Sequence, residues 1–269
     1  MPRTCPVVLP MSIEEFHRME PWLGWKHEYW DGAAQLSVQE TAVVSFQRTI
    51  GPLRDTPEVL CTGEQLRRIQ AEDSESLVKL FLSAFDDTVD YAGYPDDLYR
   101  REAEDNIASF FGKPTSRRHQ RSNSGRLEAS FAVVSGEQLV AAVLVRSLSR
   151  GPILEPIMVH PAHQRRGLGC ALLSATLEAL QAGGESTLLA RCHLGNAASL
   201  AWHEKHGFGE IPNYFAATHR WRHFAWLAEH CCHVGQSERA AEMQAVADHW
   251  MAVVDALQAS DQRWSGLLD

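Results

Sequence analysis

The chain has 269 residues, 45% of them hydrophobic and 9% aromatic, which is ordinary material for a folded core and excludes collagenous, low-complexity and wholly disordered proteins. Its 25 Lys and Arg against 34 Asp and Glu give a net charge of −9, which disfavours nucleic acid and anionic membrane surfaces as partners and favours a cationic one. The six cysteines show no Cys-x-x-Cys pair, and the sequence contains neither a signal-peptide pattern nor an apolar run of about 18 residues. We therefore expect a cytoplasmic protein.

The first 62 residues are interpreted as an N-terminal extension. Ser12 and Glu15 match the capping box of a short helix, because the serine accepts from the backbone while the glutamate reaches back to it. Asp31-Gly32, between two short runs, favours a tight hairpin turn, and a further short strand is predicted over 42–46. Turn-forming residues then precede the boundary. An aromatic cluster favours an anchor to the main domain over a ligand platform: Trp22, Trp25, Tyr29 and Trp30.

Residues 63–213 are predicted to form the main domain, of the α/β (α+β) class. Asp73 caps its first helix, and Pro95 is tolerated in the first turn of the second. The polar, basic segment 117–126 is interpreted as a solvated loop. Strands are expected over 66–70, 129–134, 139–145, 154–160 and 186–192. Helices are expected over 73–85, 95–111, 167–183 and 196–206.

Residues 214–269 are predicted to form two long helices broken at Gly235, a helical hairpin laid on the main domain. His219 and His223 share a helix face at the four-residue spacing that zinc ligands can have. Since no partner motif of known spacing accompanies them, we predict no metal site.

The most informative segment is an apolar strand over 157–160 that runs through a turn with two glycines into a helix. Backbone N–H groups without helical partners and the positive end of the helix dipole then point at one spot, which suits a pyrophosphate. Gly167 and Gly169 leave room for the phosphates to approach the backbone, and Arg165 and Arg166 can add positive charge. The alternative is that the two glycines merely allow a tight strand-to-helix turn.

The six residues Gln164-Arg165-Arg166-Gly167-Leu168-Gly169 match Q/R-x-x-G-x-G/A in full, and this segment resembles the acyl-CoA motif of the GNAT acetyltransferase superfamily. A second element of that superfamily follows, from Asn196-Ala197-Ala198-Ser199 to Gly207-Phe208. The resemblance covers residues 66–213. It implies a mixed, mostly antiparallel central sheet flanked by helices, to which this chain adds an N-terminal β-hairpin extension and a C-terminal helical hairpin.

The resemblance also implies acetyl-CoA as the co-substrate. In that family the main chain of the strand before the motif holds the pantetheine arm between two splayed strands, here at Ile157, Met158 and Val159. The segment Gln164 to Gly169 would hold the pyrophosphate. Asn196 and Ser199 would contact the coenzyme from the far side.

Catalysis requires an acceptor amine that is neutral, although a lysine-like amine has a pKa near 10.4, so a base must remove its proton. By the resemblance Glu155 can do this through water; the alternative is an exposed strand residue. Many family members donate a proton to the leaving thiolate from a tyrosine at the position that His203 occupies here. An imidazole can donate near neutral pH; the alternative is a structural histidine.

Two functions are consistent with these features. The first is an acetyl-CoA-dependent N-acetyltransferase that works by direct transfer in a ternary complex; the alternative is an inactive CoA- or ligand-binding sensor or interaction module. Segment 86–97 carries five carboxylates and two tyrosines, which favours a cationic small-molecule or peptide amine as acceptor unless it is a solvated loop. No nucleic acid or membrane partner is expected, and a homodimer is left open.

The N-terminal block from Ser12 to Gly32 also resembles the opening hairpin of PD-(D/E)xK nucleases. The carboxylates and lysine that a nuclease active site needs do not follow at the required spacing. That likeness therefore predicts a hairpin and no nuclease activity.

Overall fold

The computed structural model describes residues 7–53, 63–86, 88–113 and 125–260. Asp87 and most of the basic segment 117–126 lie outside the described residues. The strands are β1 (Val7–Pro10), β2 (Trp25–Trp30), β3 (Ala33–Val38), β4 (Val43–Thr49), β5 (Glu64–Arg68), β6 (Phe131–Ser135), β7 (Gln138–Leu148), β8 (Gly151–Val159), β9 (Thr187–His193) and β10 (Gly209–Ile211). The helices are α1 (Ile13–Arg18), α2 (Ser74–Ala84), α3 (Asp96–Phe110), α4 (Leu168–Ala182), α5 (Ala197–Lys205), α6 (Tyr214–His233) and α7 (Ser237–Ala259).

A seven-stranded sheet with the order β10-β4-β9-β8-β7-β6-β5 forms the centre of the molecule. Its described pairs are antiparallel except β8 with β9, which confirms the predicted mixed, mostly antiparallel sheet. Strand β7 is buried on both faces, and from Ala141 to Val145 its side chains alternate between two apolar clusters. Helix α4 covers one face of the sheet and helices α2 and α3 cover the other.

The parallel strands β8 and β9 are paired over a short stretch only. Ile153 is opposite Leu189 and Leu154 is opposite Ala190. Beyond these two pairs β8 continues beside β7 and β9 continues beside β4, so the two strands diverge. The divergence opens a gap in the sheet between β8 and β9.

The N-terminal segment forms a second, three-stranded sheet with the order β1-β3-β2. The capping box at Ser12 is present, and Asp31 and Gly32, with φ of 51° and 76°, make the tight turn between β2 and β3. Strand β4 does not belong to this unit, because it lies between β9 and β10 in the large sheet. The boundary predicted near residue 62 would therefore assign β4 to the N-terminal extension, although β4 is a strand of the large sheet.

Helices α6 and α7 form the C-terminal helical hairpin. Ala217 near the start of α6 clusters with Val254 and Leu257 near the end of α7, and Cys231 clusters with Ala240, as in an antiparallel pair. None of the described helices has the combination of length and apolar character that a membrane span requires.

One face of α6 carries histidines and a tryptophan that pack against the N-terminal segment. His219 Nε2 lies 2.9 Å from the Thr41 hydroxyl, and the ring of Trp226 meets that of His27 edge-on at 5.0 Å. Burial lowers the pKa of His27 to about 4 and also lowers the pKa of His219 and His223. This contact is therefore made by neutral imidazoles.

We expect the free energy of unfolding to decrease as the pH falls from about 6.5 towards 4, since the unfolded chain, with histidine pKa values near 6.5, binds protons first. Replacing His27 by Gln should flatten this slope by up to about 1.4 kcal/mol per pH unit, the limit for one proton. Urea unfolding between pH 7 and 5 measures the slope. His233→Gln, at an exposed position, is the matched control, and equal slopes for His27→Gln and the parent would contradict the expectation.

Candidate active site

The turn between β8 and α4 has the backbone geometry of an anion cradle. Arg165 and Gly167 both have left-handed backbone conformations, with φ of 63° and 86°, and Gly167 is the N-cap of α4. Such alternation turns neighbouring N–H groups towards one side, and the first-turn N–H groups of a 15-residue helix add to them. The turn therefore fits the phosphates of a coenzyme.

The side chains of the cradle differ in the contacts that they make within the protein. Arg166 forms an ion pair with Glu64 at 2.8 Å and contacts His163 Nδ1 at 2.8 Å, so its charge is already matched within the protein. Gln164 Nε2 donates to the carbonyl of Val159 at 3.3 Å, and the side chains of all three residues from Gln164 to Arg166 are exposed. Of the two arginines, Arg165 is the one better placed to meet a phosphate.

Two further residues of the motif pack the cradle against the domain. The side chain of Leu168 is buried in the core of the large sheet. A Cβ atom on Gly169 would lie 3.4 Å from Nε1 of Trp202, an ordinary contact distance, so α4 packs against α5 at this position. The backbone conformation of the turn itself depends on Gly167, which has a positive φ.

The main chain of Ile157, Met158 and Val159 lies along the opening between β8 and β9. These residues pair with β7 on one side, opposite Val143, Ala142 and Ala141. On the other side β9 has already diverged, its last pair with β8 being Leu154 with Ala190. An elongated arm therefore has room beside β8, between the cradle and the interior of the domain.

A cavity of about 190 Å³ lies where the two strands diverge. Its wall combines β4, α2, the connection between α2 and α3, α3, β8, β9 and α5. The polar and charged residues of the wall are Asp90, Tyr91, Asn106, Glu155, Arg191, His193, Asn196, Ser199 and His203.

Glu155 and Arg191 are the first residues after the last pair of β8 with β9. Nε and Nη2 of Arg191 donate to Oε1 of Glu155 at 3.0 and 2.5 Å. The ion pair spans the start of the opening and orients the carboxylate at the cavity wall. Glu155 is thus fixed by a partner on the neighbouring strand, which sequence reasoning missed; a charged residue inside the apolar run 188–192 was the available signal.

Asn196 connects α5 to the acidic connection between α2 and α3. Its Oδ1 accepts from the N–H of Ser199 at 3.1 Å, and its Nδ2 donates to Oδ2 of Asp90 at 2.9 Å. Both groups of this amide are therefore used inside the protein, while its predicted contact with the coenzyme remains a prediction. Next to Asp90, burial raises the pKa of Tyr91 well above its usual value, so this phenol stays protonated.

His203 is buried and neutral. Its Nδ1 lies 2.7 Å from the carbonyl of Ser199, which can only accept, so this nitrogen carries the proton. Nε2 has no hydrogen-bond partner among the described residues, and burial lowers the pKa of the ring, which stacks on Phe46. Its proposed role as a proton donor remains a prediction, but this environment favours an acceptor at Nε2.

Two other cavity residues have their protons fixed by the surroundings. Burial raises the pKa of the Cys192 thiol to about 12, so at neutral pH it is a weak nucleophile. His193 donates from Nε2 to the carbonyl of Gln39 at 3.0 Å and accepts from the N–H of Gly195 at Nδ1.

No group of three or more His, Cys, Asp or Glu suited to a metal ion occurs among the described residues.

Comparison with known proteins relates part of this chain to acetyltransferases. The sequence model described as the Acetyltransferase (GNAT) family matches residues 93–208. The ribosomal protein bS18-alanine N-acetyltransferase of Escherichia coli (strain K12) is 32% identical over 108 residues, which is 39% of this chain and 73% of the relative. The L-methionine sulfoximine/L-methionine sulfone acetyltransferase of Salmonella typhimurium is 35% identical over 68 residues, 24% of this chain and 40% of the relative.

Among solved structures, the ribosomal-protein-S18-alanine N-acetyltransferase from Escherichia coli is similar at a TM-score of 0.41 and 23% identity, over 55% of this chain and 79% of that one. The N-acetyltransferase from Thermoplasma acidophilum, solved in complex with coenzyme A, gives a TM-score of 0.40 at 14% identity, over 53% of this chain and 87% of that one.

We expect Gly167→Asp to bind coenzyme A about tenfold more weakly than Gly167→Asn, a ratio that corresponds to about 1.4 kcal/mol. Both side chains have the same size and tolerate a left-handed backbone better than most, so the pair differs in one negative charge beside the cradle. Calorimetric titration with coenzyme A measures the two affinities. Equal affinities in two folded variants would show that the pyrophosphate binds elsewhere.

Proposed function

The chain belongs to the GNAT family of acetyltransferases, and we propose that it transfers the acetyl group of acetyl-CoA directly to the amine of a cationic acceptor bound in the cavity between β8 and β9. The observation that carries the proposal is that Glu155 and Asp90 line the same cavity. This cavity lies at the inner end of the path that we propose for the coenzyme. One carboxylate is available to receive a proton and the other to bind a cation.

Acetyl-CoA supplies the acyl group as an activated thioester. The segment Gln164 to Gly169 would hold its pyrophosphate, since the backbone there presents N–H groups and the positive end of α4. The main chain of Ile157, Met158 and Val159 would bind the pantetheine arm beside β8, which directs the reactive end towards the cavity.

Asp90 is the group that we assign to the acceptor. Glu155 is matched by Arg191, whereas the partner of Asp90 is the neutral amide of Asn196. The negative charge of Asp90 is therefore available to an ammonium group, and its attraction is strengthened by partial burial. The E. coli relative is named for an alanine of a ribosomal protein, so the amine of a peptide, like a small polyamine, is a form that such an acceptor can take.

Glu155 is the group that we assign to proton removal. An ammonium must lose a proton before its nitrogen can attack, and Glu155 lines the same cavity with its carboxylate held by Arg191. A water molecule between the amine and the carboxylate can carry the proton. Glu155 receives this proton, and Asp90 retains the neutral amine by a hydrogen bond while its nitrogen attacks the thioester carbonyl. The C–S bond then breaks, and the leaving thiolate of CoA takes up the second proton that the nitrogen loses.

Direct transfer is favoured over an acyl-enzyme on the cavity cysteine. Cys192 remains a thiol at neutral pH because burial raises its pKa to about 12. The proton-donor role of His203 stays a prediction; its buried ring is neutral, and the proton on Nδ1 is directed at the carbonyl of Ser199. In this scheme His203 shapes the cavity wall.

Replacing Glu155 by Gln should lower kcat by roughly 10²- to 10⁴-fold, the usual contribution of a general base, with little change in acetyl-CoA affinity. Arg191→Met is the control for the ion pair, because it removes the same two hydrogen bonds but keeps the carboxylate. Steady-state kinetics with a free-thiol readout of released CoA distinguishes the two. An equal loss in both variants would assign Glu155 a structural role only.

Replacing Asp90 by Asn should raise KM for a cationic amine by about tenfold and flatten its dependence on salt, because a screened charge interaction is lost. The amide keeps an oxygen that can accept from Asn196. Asp97→Asn makes the same charge change in the first turn of α3, where the carboxylate binds Arg101, and should leave KM unaltered. A best acceptor of net negative charge, or an Asp90→Asn enzyme with unchanged KM, would contradict the assignment.

A further inference from the structure

The connection between α2 and α3 is anchored outside the acetyltransferase domain. Val89 and Ala92 are buried in an apolar cluster whose other buried members, Val7, Trp25, Ala34 and Leu36, belong to the N-terminal three-stranded sheet. Asp90 and Tyr91, which line the cavity, lie between these two anchors along the chain. Val89 and Ala92 thus face the N-terminal sheet, whereas Asp90 and Tyr91 between them face the cavity.

The end of β9 and the residues that follow it are anchored on the same unit. His193 Nε2 donates to the carbonyl of Gln39, just after β3. A Cβ atom on Gly24 would lie 2.6 Å from Cε1 of His193, and Gly24 has φ of 81°, so a glycine is needed there for both reasons. This segment leads directly to Asn196, the partner of Asp90.

The two anchored segments and the N-terminal unit meet at Gly195. A Cβ atom there would lie 2.9 Å from the carbonyl oxygen of Leu23, 3.1 Å from Nδ1 of His193 and 3.2 Å from Cγ2 of Val89. These three atoms belong to three separate parts of the chain. The position next to Asn196 is therefore tightly packed, without space for one extra methyl group.

We propose that the N-terminal three-stranded sheet is a working part of the acceptor site, with Val89 and Gly195 as positioning residues that hold Asp90 and Asn196 in register. This proposal rests on the proposed function, since it concerns the same cavity. A surface connection without such anchors would have to be ordered when the acceptor binds, and that ordering would reduce affinity. The N-terminal sheet removes this cost in advance, so it determines how tightly the acceptor is held.

Val89→Ala and Gly195→Ala should each raise the acceptor KM by about fivefold, the loss that one weakened hydrogen bond gives, with smaller effects on kcat and on the affinity for acetyl-CoA. Gly195 does not have a left-handed φ, so alanine adds a wedge without backbone strain. Leu36→Val loosens the same cluster from the N-terminal side and should act alike. Leu227→Ala, in a buried cluster of the C-terminal hairpin, is the control for lost stability and should leave KM unaltered.

If Val89 acts through Asp90, its effect on KM should disappear when Val89→Ala is combined with Asp90→Asn. Additive effects, or a Leu227→Ala enzyme with the same rise in KM, would overturn the proposal.

Hydrogen exchange separates this inference from the proposed function, because it needs no acceptor. Amides of Val89 to Ala92 and of His193 to Asn196 should exchange faster in Leu36→Val than in the parent and in Leu227→Ala. Unchanged exchange in both segments would overturn the inference even if Asp90→Asn behaves as expected. Faster exchange together with an Asp90→Asn enzyme of unchanged KM would contradict the proposed function and leave the positioning intact.

Discussion

The divergence of β8 and β9 after Leu154 and Ala190 is the constraint on which the site depends. Parallel strands held by a continuous ladder would leave no space between them for a ligand. Here the ladder ends after two pairs, while each strand stays paired with its other neighbour. The sheet therefore remains paired on both sides of an opening, and the cradle, the path proposed for the coenzyme and the cavity all lie along that opening.

Burial then decides which cavity groups carry charge. Desolvation keeps Cys192 and Tyr91 protonated and the ring of His203 neutral. The charges of the cavity wall lie on Asp90, Glu155 and Arg191, and two of these form an ion pair. Of the potential acids and nucleophiles in the cavity wall, only two carboxylates are left with a negative charge. Glu155 is paired with Arg191, and Asp90 is bonded to the neutral amide of Asn196. The proposed binding and deprotonation of an amine rest on these two groups.

The features that could be predicted from the sequence are those that local residues determine. The capping box at Ser12, the hairpin at Asp31-Gly32 and the glycine turn before α4 each follow from a few adjacent residues, and the structure contains all three. Strand β10 has three residues and β1 has four, too few for a reliable alternation pattern. Three features depend on residues far apart in the chain, which spacing alone does not reveal: the position of β4, the ion-pair partner of Glu155 and the burial of His203.

The insertion of β4 between β9 and β10 has a consequence for how the chain can be divided and synthesised. A fragment that begins at residue 63 would lack an interior strand, leaving β9 with an unpaired edge and β10 detached from the sheet. During synthesis β4 emerges early, but its partners β9 and β10 follow only at Thr187–His193 and Gly209–Ile211. The large sheet therefore closes late through contacts of long sequence separation, a topology that folds slowly and exposes apolar strand edges until the C-terminal half of the domain has left the ribosome.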